Sequence, residues 1–194
     1  MRTIIEDARA WCRRRNPWVR LPLLVAFGYF GIRYLVDSDY SCIISPLNLG
    51  IHEFGHLVFS PLGMTWNIAG GSIAQTAAPL YGVFNFLRQE DYFAGALSFG
   101  WLSTSLFETA RYVADARAKA LALVSPFGED PLHDWNYLLT KWNLLRYDML
   151  LGGAARFLAS AAMFVCLGVG LWMCWEMVKK PTKESDSEIK GTGP

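Results

Sequence analysis

The sequence predicts an all-α fold, a polytopic transmembrane helix bundle of about five to six membrane helices. Three observations carry that expectation. Hydrophobic residues make up 53% of the 194 and charged residues only 18%, too apolar a balance for an ordinary soluble domain of this length. The apolar residues gather in runs long enough to cross a hydrocarbon core of about 30 Å at about 1.5 Å per residue. Tryptophan and tyrosine stand near the run ends, where amphipathic rings anchor at a bilayer surface.

Residues 1–17 form a basic leader, with Ile4, Ile5, Ala8 and Trp11 at helical spacing. This is the pattern of a short cytoplasmic helix lying on the membrane with its arginines toward anionic lipid, or of a simple charged leader. Arg13, Arg14 and Arg15 precede the first apolar run, but Arg33 interrupts that run and no small-residue cleavage site follows, so a retained signal-anchor is expected. The run itself covers about residues 18–36, and Asp37 and Asp39 mark its exit to water.

A second helix is expected from Ser45-Pro46, an N-cap followed by proline at the first helical position, to the stop at Ser60-Pro61-Leu62-Gly63. It is short for a full span and holds two histidines, which places it among other helices around a polar pocket. Residues 64–72 read as a loop or short extended edge. A third helix is expected over 72–87 with a kink at Pro79, a fourth over 92–113, a fifth over 131–151, and a last, the cleanest membrane span, over 154–178. The polar connection 114–131 breaks at Pro126-Phe127-Gly128, and residues 179–194 read as a disordered tail. The membrane-embedded helical domain is thus 18–178. Six crossings put the N-terminal arginines, Arg117 with Lys119, and Lys179 with Lys180 all on the cytoplasmic side, provided helix 131–151 also spans.

The formal net charge of +1 argues against a polyanionic partner such as nucleic acid. Cys12, Cys42, Cys166 and Cys174 form no CxxC pair and read as buried packing residues rather than disulfides or thiolate ligands.

The chemistry gathers at His52-Glu53-Phe54-Gly55-His56. On a helix, positions i and i+4 share a face one turn apart, so two imidazoles can reach one metal at about 2.0–2.1 Å. Glu53 flanks that metal without binding it and can take a proton from water activated there, which makes it the candidate catalytic base. Ionisable residues inside membrane helices are costly and mark function by default. The plain alternative is a pair of histidines bonded to neighbouring helices, with Glu53 paired to a buried arginine. Zinc (Zn2+) is the expected cofactor and needs a third protein ligand, leaving a fourth position for water. The third and last histidine of the chain, His133, is favoured, with its neighbour Asp134 as ligand or orienting partner; Asp115, Asp148 and Glu108 are lesser candidates. Asn67 and Gln75 are candidates to bond a substrate backbone, or ordinary helix-capping residues, and Arg111 is expected to pair with Glu108 at i+3.

The stretch Gly50-Ile51-His52-Glu53-Phe54-Gly55-His56-Leu57-Val58-Phe59 resembles the active-site helix of the site-two-protease class of intramembrane metallopeptidases. That resemblance implies a glycine-containing loop after the helix, for which Gly70-Gly71-Ser72 stands, and a distant aspartate ligand. Asn143-Leu144-Leu145 followed by Gly152-Gly153 is similar to the segment that carries it, but the aspartate position falls on Leu151, which favours His133 or Asp134. Together with Tyr112-Val113-Ala114-Asp115-Ala116-Arg117 and His133-Asp134-Trp135-Asn136-Tyr137-Leu138-Leu139, the motif is also similar to a group of bacterial membrane proteins over residues 45–150. The implied activity is zinc-dependent hydrolysis of a peptide bond in or near an inner membrane. The implied partners are membrane lipids and a peptide or transmembrane-protein substrate. Two other classes stay open: a non-catalytic protein in which zinc staples two helices, and a metal or proton transporter, which would spread its ionisable residues along a path.

Overall fold

The computed structural model describes residues 3–13, 15–122 and 132–179. Among them are seven α-helices and no strand: α1 (Ile4–Cys12), α2 (Leu21–Val36), α3 (Ser45–Phe59), α4 (Met64–Arg88), α5 (Tyr92–Ala114), α6 (Asp134–Lys141) and α7 (Asp148–Val178). The all-α expectation is met. The disordered tail assigned to 179–194 and the break at Pro126-Phe127-Gly128 lie outside the described residues, apart from Lys179 itself.

At the centre stands α5, packed along α7 on one side and α4 on another, with α2 also in contact and α3 lying along α4. Its buried face holds Phe93, Leu102, Phe107 and Val113 together with many small residues, among them Gly95, Ala96, Ser98, Gly100, Ser103, Ser105 and Ala110. Small side chains let apolar helices approach closely where lipid gives no net hydrophobic drive to associate. A Cβ on Gly100 would stand 2.6 Å from the Phe27 ring and 2.9 Å from Cys166 Sγ. Ser103 donates to the Ala159 carbonyl at 2.7 Å, tying α5 to α7.

Two segments are long and apolar enough to cross a bilayer, Pro17–Val36 and Leu145–Val178, which supports membrane association. That is fewer than the five or six expected. Apolar side chains such as Val25, Ile32, Phe157 and Phe164 point outward from α2 and α7. At 15 residues α3 is short, and α5 is enclosed by its neighbours, so it can carry Ser103, Thr104, Ser105 and Glu108 instead of a lipid-soluble surface.

Three boundaries differ from expectation. Residues 64–72 are not a loop: α4 runs unbroken from Met64, and the chain turns instead at Gly63, whose φ of 93° lies in the left-handed region. Gly70 and Gly71 serve contact rather than turning, since a Cβ on Gly55 of α3 would press into the Gly70 carbonyl and meet the Ala74 methyl at 2.7 Å. Nor is there a helix over 131–151. After α6 the chain turns at Asn143 (φ 56°), where the Asn143 N–H bonds Thr140 O at 3.1 Å and the Leu144 N–H bonds Leu139 O at 2.8 Å, the Schellman pattern that ends a helix. Finally, α7 continues through Gly152-Gly153 for 31 residues, and Gly152 is there so that α5 can pass, a Cβ meeting the Ala110 carbonyl at 2.9 Å.

The charge pattern also resolves differently. N-terminal α1, capped by Thr3 and Glu6, docks at the far end of α7, where Arg9 Nε lies 3.6 Å from Glu176. Lys179 bonds the same carboxylate at 2.7 Å. Arg117, by contrast, pairs with Asp148 at 2.7 Å, the first residue of α7. A 31-residue helix is about 46 Å long, so Arg117 and Lys179 lie at opposite ends of α7.

Candidate metal centre

Proline at the first turn of α3 starts the helix, although Ser45 does not cap it; its hydroxyl accepts from the Cys42 N–H at 2.9 Å and bonds Glu108 Oε1 at 2.6 Å. About two and three turns on, His52 and His56 face α4 from one side of α3, their rings 4.8 Å apart and nearly perpendicular. Opposite them is Gly71. A Cβ there would lie 2.5 Å from His52 Nε2 and 2.7 Å from His56 Nε2, so both nitrogens converge on space that any other residue would fill.

The far nitrogen of each ring is held. His56 Nδ1 lies 2.8 Å from the Asn67 carbonyl, which can only accept, so this nitrogen carries the proton. Asn67 returns a bond from Nδ2 to His56 O at 3.0 Å. His52 Nδ1 lies 3.0 Å from Gln75 Oε1, again an acceptor. With Nδ1 protonated on both rings, each Nε2 presents a lone pair.

Those lone pairs meet a carboxylate. Asp134 Oδ2 lies 3.0 Å from His52 Nε2 and 3.3 Å from His56 Nε2. Three acceptors at such distances repel one another unless a positive species, a proton or a metal cation, lies among them. Tetrahedral ligands at about 2.0–2.1 Å from zinc are spaced about 3.3–3.4 Å apart, so two imidazoles and one carboxylate suit zinc with one position left open. Asp134, at the start of α6, is itself fixed by its N–H bond to the Tyr112 hydroxyl at 3.0 Å. The docking of α6 on α4 is pinned by the Trp135 indole on Ser72 at 3.1 Å and by Lys141 on Thr65.

His133, favoured from sequence as the third ligand, is engaged elsewhere. Its Nδ1 caps α6 by accepting from the Asn136 N–H at 3.2 Å, and its Nε2 lies 3.3 Å from Asp115 Oδ2. Asp115 accepts also from the Ala120 and Leu121 N–H groups. Burial pushes its carboxyl up, but these bonds outweigh that and hold it below the ordinary carboxylate value. Asp148 is taken by Arg117. Glu108 does not pair with Arg111, whose nearest carboxylate is Asp39 at 3.9 Å; its oxygens take Tyr34, Ser45, Asn48 and Gln75.

Glu53 points to the same place without a side-chain partner among the described residues, and its nearest carboxylate oxygen and the two histidine donors lie within 4.8 Å of one another. All four groups border a cavity of about 900 Å³, shared with Tyr112, Thr109 and the apolar side chains of Leu49, Leu57 and Ile68. Asn67 and Gln75 orient the histidines and do not reach out for a substrate. Tyr112, Gly71 and the orienting role of Gln75 escaped the sequence reading; a lone amide or carboxylate in an apolar helix was the available signal. Compared with family models, curated proteins and solved structures, the chain matches none.

Proposed function

We propose that the protein is a zinc-dependent, membrane-associated metalloendopeptidase that hydrolyses a peptide bond in or near the bilayer. The observation that carries this reading is the convergence of His52 Nε2, His56 Nε2 and Asp134 Oδ2, with both Nδ1 atoms already bonded, on the wall of a large cavity beside Glu53, which has no side-chain partner among the described residues. His52, His56 and Asp134 would hold the ion. When bound, zinc supplies a Lewis acid that eases deprotonation of water and polarises a carbonyl. Glu53 takes the proton from the attacking water as its oxygen bonds the scissile carbon, then delivers it to the departing amine as the C–N bond breaks. Gln75 and Asn67 keep the imidazoles in the required tautomer throughout. Leu49, Leu57 and Ile68 give the cavity an apolar side suited to an apolar peptide segment.

Elemental analysis of the purified protein should return one zinc per chain. In liposomes, wild type should cleave members of a fluorogenic library of apolar peptides, while Glu53→Gln should lose at least about 100-fold in rate and keep its zinc. Equal cleavage by both proteins would reject the mechanism. A structural zinc staple is the second reading, and the nearness of Glu53 favours it, because a fourth protein ligand would close the site. In that case the wild type should cleave none of the peptides and Glu53→Gln should weaken zinc binding.

A further inference from the structure

Glu108 takes four side-chain hydrogen bonds inside the bundle, and no step of the hydrolysis uses it. It sits on α5 and joins four helices. Oε1 accepts from the hydroxyls of Tyr34 (2.8 Å) on α2 and Ser45 (2.6 Å) on α3; Oε2 accepts from Asn48 Nδ2 (2.9 Å) on α3 and Gln75 Nε2 (3.3 Å) on α4. Four donors on two oxygens saturate the carboxylate.

The direction of every bond along this chain is fixed by a group that cannot reverse. The Trp101 indole only donates, and it donates to Asn48 Oδ1 at 2.8 Å, so Asn48 must turn its NH₂ toward Glu108. Glu108 only accepts here, and so does the Ser105 carbonyl 3.5 Å from Gln75 Nε2; both draw the Gln75 NH₂. The amide of Gln75 therefore shows its oxygen, not its nitrogen, to His52 Nδ1 at 3.0 Å. An amide turned over would present N–H to that nitrogen, move the imidazole proton to Nε2, and remove the lone pair that faces Asp134.

We infer that Glu108 is a positioning residue for the metal centre: acting through Gln75, it selects the His52 tautomer that leaves Nε2 able to bind a metal. This rests on reading His52, His56 and Asp134 as metal ligands. It explains why a carboxylate is kept inside the bundle at a place where apolar packing would be cheaper.

The test uses full-length protein in micelles, zinc affinity by chelator competition, and ¹⁵N-histidine NMR of the metal-free protein, which reads the tautomer directly. Glu108→Leu leaves the Gln75 NH₂ only the long 3.5 Å bond to the Ser105 carbonyl, so the amide can turn over. It should weaken zinc binding about 10- to 100-fold, as loss of an outer partner typically does, and should raise the Nε2–H form of His52 but not of His56. Glu108→Gln should stay within about threefold of wild type, because its carbonyl can face Asn48 and Gln75 while its NH₂ faces two hydroxyls that accept as readily as they donate. Ser45→Ala, which removes a donor on the side away from Gln75, should leave the His52 tautomer unchanged. If Glu108→Leu does not fold, Glu108→Asp, shorter by one methylene, serves in its place through the same tautomer signal. Unchanged zinc affinity and tautomer in Glu108→Leu, or in Glu108→Asp where it stands in, would overturn the role of Glu108 alone. A wild-type protein that takes up no zinc would overturn the metal centre with it.

Discussion

Single atoms decide the candidate site. Gly71 gives the sharpest example: the nearest atoms a methyl placed there would meet belong to the two imidazoles, His52 Nε2 and Cε1 and His56 Nε2. Gly71→Ala is therefore expected to keep its helical circular dichroism while losing zinc in elemental analysis. Asp134→Asn should cost more than the roughly 100-fold that marks the upper range for outer partners, whereas His133→Asn, which keeps a good helix cap, should bind zinc within about threefold of wild type. Chelator competition measures both. His52, Glu53 and His56 were legible from spacing alone, because i and i+4 on a helix share a face whatever surrounds them. Between His133 and Asp134 the sequence had no such rule. Adjacent residues at a helix start point in different directions, and here capping separates them: the imidazole is spent on the Asn136 N–H, while Asp134 turns toward His52 and His56.

Glycines and asparagines set the limits on reading the elements. Gly70-Gly71 and Gly152-Gly153 have the composition of turns, yet all four lie inside helices, where at least Gly70, Gly71 and Gly152 allow one helix to press against another or against the imidazoles. Nothing in a single sequence separates the two uses, since glycine suits a turn by its freedom and a helix contact by its missing side chain. The real break, at Asn143, was legible in principle as an αL-tolerant residue just after Lys141 at a helix end. Asn143→Val forces a branched side chain into the left-handed region and should cost about 1–2 kcal/mol, seen as a lowered midpoint of thermal unfolding in detergent. Asn143→Gly should match wild type or exceed it slightly.

Across the whole molecule, α7 divides the chain's basic groups between its two ends. Arg117 and the metal centre's α6 belong to the end where α7 begins; α1, Arg9 and Lys179 belong to the other. If α7 spans, Lys119→Cys and Lys179→Cys, each placed in a background free of native cysteine, should label from opposite faces of sealed vesicles. Labelling from one face would restore the orientation expected from charge alone. The helical class and the membrane-directed α2 and α7 were legible because composition and run length set them directly. The crossing count was not, because α5 takes its neighbours as solvent and escapes the hydropathy rule.

The carboxylate facing His52 comes 82 residues later in the chain, beyond both α4 and α5. During synthesis, a chain that has emerged only as far as α5 holds His52, His56 and Glu53 but lacks the Asp134 carboxylate that completes the cluster. On the proposed metal reading, the His52, His56 and Asp134 set would form only once α6 has docked, so a bound ion would report that this late segment has come home.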